Sequence, residues 1–141
     1  MEKSCVVFVI VKGVLGYENC IVMIQEKNKP EPKLWKLVGG TRENGESLSD
    51  TASREVLEEI GVTLRDVSDN DVVYQAEIKG KHSPYDFILF EGRYLMGQIT
   101  KGEEVEEIGF FSPAQIKEMI KNRQIVKNHA DALRACLPLN Y

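Results

Sequence analysis

The sequence predicts a single α/β domain spanning residues 1–141, built on a mixed sheet covered by helices. Three observations lead there. Apolar, β-branched runs alternate irregularly with amphipathic stretches, without the strict strand–helix alternation of a doubly wound parallel sheet. No internal repeat, low-complexity tract or Pro/Ser-rich linker divides the chain. The length of 141 residues, 43% of them hydrophobic and 28% charged, suffices for one buried core.

Taken in order, residues 4–11 are β-branched and apolar and suit a strand buried on both faces. Residues 20–25 (CIVMIQ) form a second such run, after the turn-prone stretch 13–19. A polar loop with two prolines fills 27–32, and a short apolar element at 35–38 stops at Gly39-Gly40. Residues 47–60 read as a helix: Ser47 or Ser49 can cap its start, and Gly61 stands where a left-handed residue ends one. Residues 72–78 and 86–95 read as strands, and 108–111 as a brief one. Ser112-Pro113 opens a helix to about residue 121, with proline at the first helical position. Residues 126–136 form a final helix.

Composition narrows the class of function. Twenty-two acids against 18 bases give a net charge of −4, which disfavours a nucleic-acid polymer as partner, since phosphate neutralisation needs a concentrated basic face. A small phosphorylated substrate stays open, because a bound divalent cation inverts the local charge. Cys5, Cys20 and Cys136 are too few and too scattered for a zinc site or a disulfide framework; Cys5 and Cys20 read as small buried hydrophobes in a reducing, cytoplasmic setting. The apolar N-terminal run is short and lacks a cleavage site, and no stretch approaches a membrane span.

The chemistry concentrates between Gly40 and Val62. On a helix, Glu55, Glu58 and Glu59 fall within about a third of the circumference. Ala52, Val56 and Ile60 form an adjoining i, i+4, i+8 stripe that can pack on a sheet. Carboxylates crowded on one face repel, by about a few tenths of a kcal/mol per exposed pair. An acidic cluster of this kind is usually a solvated face. The alternative is a divalent-cation site, since hard cations take oxygen ligands and a bound cation removes the repulsion.

The full spacing decides between them. Gly40-x₅-Glu46-x₇-Arg54-Glu55-Val56-x-Glu58-Glu59-x-Gly61-Val62 resembles the Nudix box at every specified position, with seven fixed identities and two aliphatic ones over 23 residues. The chain is thereby similar to the Nudix (MutT-type) hydrolases, and the flanking strands also resemble that family's α/β/α sandwich with its catalytic loop–helix–loop. The resemblance implies Mg²⁺, with Mn²⁺ able to replace it, as the cofactor. It makes Glu58 and Glu59 principal metal ligands and Glu55 a further ligand or an orienter of water. Arg54 would hold a glutamate of the catalytic helix, Glu46 would stabilise the loop–helix–loop or join an outer metal shell, and Gly40 would supply backbone freedom and a carbonyl ligand.

Outside the box the pattern is looser. Family members often take one more acid, as metal ligand or general base, from the loop before the last strand. Gly102-Glu103-Glu104-Val105-Glu106-Glu107 lies there, and Glu104 is favoured, with Glu103 next. Trp35-Lys-Leu-Val38-Gly39-Gly40 matches the family's lead-in to the box except that Val38 replaces a proline, which leaves the metal ligands intact. Trp35 is expected to pack rather than stack on a base, Asn128 to cap the last helix, and His82 and His129 to lie in loops or on the surface. Lys12 and Tyr17 are candidates to face the substrate cleft.

The reaction expected from the resemblance is water attack on a nucleoside diphosphate linked to a group X. A (modified) nucleoside triphosphate is the first choice of substrate; a nucleotide sugar, ADP-ribose or dinucleoside polyphosphate is the alternative. From another class comes a non-catalytic Nudix-like nucleotide-binding module, which the intact set of box acids disfavours. A homodimer is compatible with the sequence, and a membrane is not an expected partner.

Overall fold

The computed structural model describes residues 3–137. Its strands are β1 (Ser4–Lys12), β2 (Ile21–Glu26), β3 (Lys36–Thr41), β4 (Thr63–Leu64), β5 (Val72–Lys79), β6 (Pro84–Met96) and β7 (Val105–Phe111); its helices are α1 (Leu48–Ile60), α2 (Pro113–Lys121) and α3 (Lys127–Cys136). The sheet runs β4-β6-β1-β3-β2-β7, with β5 also paired to β6. Only the β1–β6 pairing is parallel among these, so the sheet is mixed, as expected.

Alternation along β1 sorts the core into two layers. Val7, Val9 and Val11 join Val22, Ile24 and Val38 beneath α1, which contributes Ala52, Val56 and Ile60, the stripe foreseen from the i, i+4, i+8 spacing. Phe8 and Ile10 face the other way, with Met23, Leu37, Phe87 and Leu89, and are covered by Ile116 and Met119 of α2 and by Ala130, Ala132 and Leu133 of α3. The result is the α/β/α sandwich. No helix among the described residues is long and apolar enough to cross a membrane.

The main departure from the sequence reading lies at the glycine pair. The apolar element expected at 35–38 is a strand that continues through Gly39 and Gly40 to Thr41, held by β1 through the pairs Phe8–Gly39 and Val7–Gly40. Backbone pairing needs no side chain, and here a side chain would not fit. A Cβ on Gly39 would fall 2.1 Å from the Val7 carbonyl oxygen, and one on Gly40 would fall 2.5 Å from the Glu55 carboxyl. Two further elements escaped the sequence: the two-residue β4, and a 3₁₀ turn at Asp69–Asp71 capped by Ser68. β7 begins at Val105, three residues before the expected start, so Glu106 and Glu107 belong to the strand. Cys5, Cys20 and Cys136 are free thiols; all three are half-buried, so Cys5 and Cys20 are less enclosed than the sequence suggested.

Close approach of β1 to β3 is therefore bought with a glycine. Gly39→Ala should lower unfolding free energy by roughly 2 kcal/mol or more, the scale of an overpacked core site. Urea denaturation would show a lower midpoint at unchanged slope; an unchanged midpoint would mean that β1 and β3 separate at no cost.

Candidate active site

Helix α1 is fixed at both ends. The Ser47 hydroxyl accepts from the Asp50 N–H (3.1 Å), and Gly61, at φ 77°, donates its N–H to the Leu57 carbonyl (3.0 Å). The last turn is tied to the segment leading into β7, since Thr100 and Gly102 donate their N–H groups to the carbonyls of Ile60 (2.9 Å) and Glu59 (3.0 Å). Those bonds bring 102–105 against the glutamate face of α1. A Cβ on Gly102 would lie 2.2 Å from the Glu58 carbonyl oxygen, so this approach, too, needs a glycine.

Arg54 organises the acids. Its Nε and Nη2 donate to the two oxygens of Glu46 (2.7 and 3.0 Å), a bidentate pair. Nη1 donates to Glu55 (2.9 Å) and Glu58 (3.3 Å), and Nη2 also reaches the Thr41 carbonyl (3.1 Å). These bonds, with the Glu43 N–H, hold the Glu46 carboxyl down at about 2, while Glu46 in return raises the Arg54 pKa. Glu46 thus closes the loop onto the helix, the first of the two roles the resemblance implied.

Glu55 and Glu59 sit deeper. Burial raises the Glu55 carboxyl, with Arg54 opposing. Burial pushes Glu59 up to about 7, against the Gly39 N–H, which donates to it at 2.7 Å, and the nearby Lys36. Glu58 is more exposed. A cleft of about 470 Å³ is lined by Glu55, Glu58, Glu59, Gly102, Glu103, Glu104 and Val105. An adjoining one of about 540 Å³ adds Gly39, Gly40, Arg54, Glu26 and Lys36, and again includes Glu104. Glu103 and Glu104 therefore face the carboxylates of α1. Glu106 and Glu107 do not: they pair with Lys33 and Lys101, each at 3.8 Å.

Among the described residues, no three His, Cys, Asp or Glu side chains are already gathered into a metal cage. The protein's own donors hold them, Arg54 on Glu55 and Glu58, and the Gly39 amide on Glu59. The donor set nevertheless fits a hard divalent cation: it offers only oxygens, and Glu55 and Glu59 are half-buried carboxylates whose charge is under-compensated. The glycine at position 40 leaves room for the Glu55 carboxyl, which any side chain there would displace.

Several expectations outside the box are corrected. His129 is not on the surface; it is buried on α3 at 5% exposure, whereas His82 is exposed. Asn128 caps nothing: the cap position is Val126, without a side-chain cap, and the Asn128 amide donates to the Tyr85 hydroxyl (3.4 Å). Trp35 packs as expected, meeting Phe111 edge-on at 4.9 Å. Lys12 pairs with Glu91 (3.3 Å) and Tyr17 stacks on Phe110 (3.9 Å); neither lines the carboxylate cleft. Lys36 and Glu26, which do line it, were missed; a lone charge in the strand before the glycine pair was the available signal.

Fold and cleft together define a hydrolase of the Nudix class. The NUDIX domain model matches residues 5–136, and the chain belongs to the NUDIX family. It is 26% identical over 122 residues to an ADP-ribose pyrophosphatase of Methanocaldococcus jannaschii, covering 86% of this chain and 72% of that one. A 42-residue stretch is 48% identical to the nucleoside diphosphate-linked moiety X motif 6 protein of Mus musculus, covering 30% of this chain and 13% of that protein. The fold is similar to that of a MutT NUDIX hydrolase from Burkholderia pseudomallei, with a TM-score of 0.77 and 16% identity over 97% of this chain and all of that one (100%). The chain is thus a Nudix hydrolase of diphosphate linkages.

The raised Glu59 carboxyl sets a sign for stability. Its folded pKa of about 7 exceeds its ordinary 4.5, so the stability it contributes is present below pH 4.5 and is lost as pH rises through about 7. In chelator, the melting temperature of Glu59→Gln should fall less than that of the wild type between pH 5 and pH 8. Parallel curves would show that Glu59 ionises as it does in the unfolded chain.

Proposed function

We propose that the chain hydrolyses a nucleoside diphosphate linked to a group X, with a nucleoside triphosphate or modified nucleoside triphosphate as first choice, using Mg²⁺ or Mn²⁺. The observation that carries this reading is the cleft in which Glu55, Glu58 and Glu59 of α1 meet Glu104. The relative named as an ADP-ribose pyrophosphatase favours ADP-ribose as the second choice.

Glu55, Glu58, Glu59 and Glu104 would hold the cation, and the Gly40 carbonyl would be a further ligand. When bound, such an ion supplies charge for the phosphate oxygens and lowers the pKa of a water molecule. The protein's own residues do the rest. Arg54 restrains Glu55 and Glu58, so that little reorganisation is left for the reaction. Gly39 restrains Glu59 from the strand side. Glu104, across the cleft from α1, is the choice for accepting the proton of the attacking water. Water adds to one phosphorus, the bridging P–O bond breaks, and the products are a nucleoside monophosphate and phosphorylated X, which is pyrophosphate when X is phosphate, as in a nucleoside triphosphate. The three free thiols fit a reducing, cytoplasmic setting.

A panel of nucleoside triphosphates, nucleotide sugars, ADP-ribose and dinucleoside polyphosphates, scored by product, tests the reading. Hydrolysis should require Mg²⁺ and stop in chelator. Glu58→Gln should lower kcat by about 10²-fold or more. Arg54→Gln should lower it by about 10- to 100-fold, as expected for a residue that orients ligands. Unchanged activity in Glu58→Gln would contradict the metal-site assignment. A wild type inert toward the whole panel would favour the binding-module reading.

A further inference from the structure

The cleft of about 540 Å³ is lined by three cations, Lys36, Arg42 and Arg54. Two of them are engaged. Arg54 serves four carboxylates, and Arg42 donates to the Glu46 carbonyl (3.2 Å). Lys36 differs. Its side chain is only 15% exposed, yet its ammonium makes no hydrogen bond among the described residues. Glu26 faces it at 3.6 Å, too far for a hydrogen bond, and the centre of the Phe8 ring lies 5.1 Å away. An ammonium withdrawn from water with all three donors unused is unfavourable unless an acceptor arrives.

The strand sets where that acceptor would be. Lys36 opens β3, opposite Ile24 of β2 and three residues before Gly39, whose N–H holds Glu59. Three residues of strand span roughly 10 Å. The charge of Lys36 already reaches Glu55 and Glu59, opposing the effect of burial on both. Lys36 lines this cleft but not the one of about 470 Å³, so it stands to one side of the acids. Beyond it opens a third cavity, of about 290 Å³, with apolar walls from Pro30, Pro32 and Leu34.

We propose that Lys36 binds the diphosphate of the substrate, its ammonium leaving Glu26 for a non-bridging phosphate oxygen at the edge of the acid cluster. The inference rests on the diphosphate-hydrolase reading above and names the protein group that meets the substrate's own charge. Carboxylates that hold a cation also repel the phosphates the cation attracts, and a positive charge fixed beside them offsets that repulsion. A lysine suits the task, because a compact charge with three rotatable donors needs no single angle of approach. Glu26 holds the place until substrate comes: a loose ion pair is exchanged for a charge-assisted hydrogen bond. Because Lys36 touches phosphate and not X, it acts on binding of every diphosphate substrate alike.

The test uses methylenediphosphonate, which has two phosphonate groups, no organic end and no P–O–P bond to break. Titrated calorimetrically in Mg²⁺, it should bind Lys36→Met about tenfold or more weaker than the wild type. KM for the nucleotide hydrolysed fastest in the panel should rise by a similar factor, with kcat changed less. Lys36→Arg, which keeps the charge, should recover part of both losses. Lys36→Met also leaves Glu26 alone beside the cleft, so the double variant Lys36→Met/Glu26→Gln decides the cause. The weakening should persist in it. Affinity restored in the double variant would mean that Lys36 only screens Glu26, and would overturn the proposal; so would unchanged affinity in Lys36→Met, or no binding to the wild type. Should neither variant fold, crystals of the wild type with Mg²⁺ and the diphosphonate decide. Lys36 Nζ should lie within hydrogen-bond distance of a phosphonate oxygen; Nζ still turned to Glu26 overturns the proposal. A wild type that hydrolyses no nucleotide overturns the proposed function itself, a result distinct from hydrolysis indifferent to Lys36.

Discussion

One guanidinium makes the rest of the site possible. Arg54 lies within ion-pair distance of Glu43, Glu46, Glu55 and Glu58, four carboxylates that would otherwise repel one another across a partly buried surface. Burying charge without compensation is costly, and here one planar cation with five donors serves several acids at once. Its rigid fork matters as much as its charge. A lysine could neutralise, but it could not hold Glu46 bidentately while reaching Glu55 and the Thr41 carbonyl. Through Arg54 the loop after β3, the start of α1 and the acids facing the cleft become one piece.

That piece is carried by the sheet through small residues. Ala52, Val56 and Ile60 seat α1 on Val7, Val9 and Val38, and the shallow contact brings Glu55 against Gly40 and Glu59 against the Gly39 amide. On the far side of the helix, Gly102 lets the segment before β7 lie on the backbone of Glu58 and Glu59. Three close approaches, each at a glycine, set the width of the cleft. The other face of the sheet holds His129 between Phe8 and Phe87, so the two layers of core converge on β3 from opposite sides. Lys36, at the start of that strand, stands between the acid cleft and the apolar cavity.

Much of this was legible in the sequence, for identifiable reasons. The helix from 48 to 60 was readable because its cap, its apolar stripe and its terminal glycine agree. The role of the glutamates was not readable from clustering, which describes any acidic helix face; the spacing from Gly40 to Gly61 carried it. Among Glu103, Glu104, Glu106 and Glu107 the sequence offered only an order of preference. The structure separates them because the turn at 102–104 precedes β7, and strand pairing then directs Glu106 and Glu107 toward Lys33 and Lys101. The continuation of β3 through two glycines was hidden, because glycine marks a turn as readily as a close approach. His129 was hidden for another reason. Its partner is the backbone N–H of Leu37, 92 residues away, and a backbone group leaves no pattern in a sequence.

The central claim is that the acids brought together by Arg54 bind the catalytic cation. Anomalous diffraction from crystals equilibrated with Mn²⁺ tests it directly. The account predicts a peak in the cleft within coordination distance of carboxylate oxygens from Glu55, Glu58 and Glu59. A cleft without a peak at a saturating concentration, or a peak bound only by acids elsewhere on the surface, would contradict it.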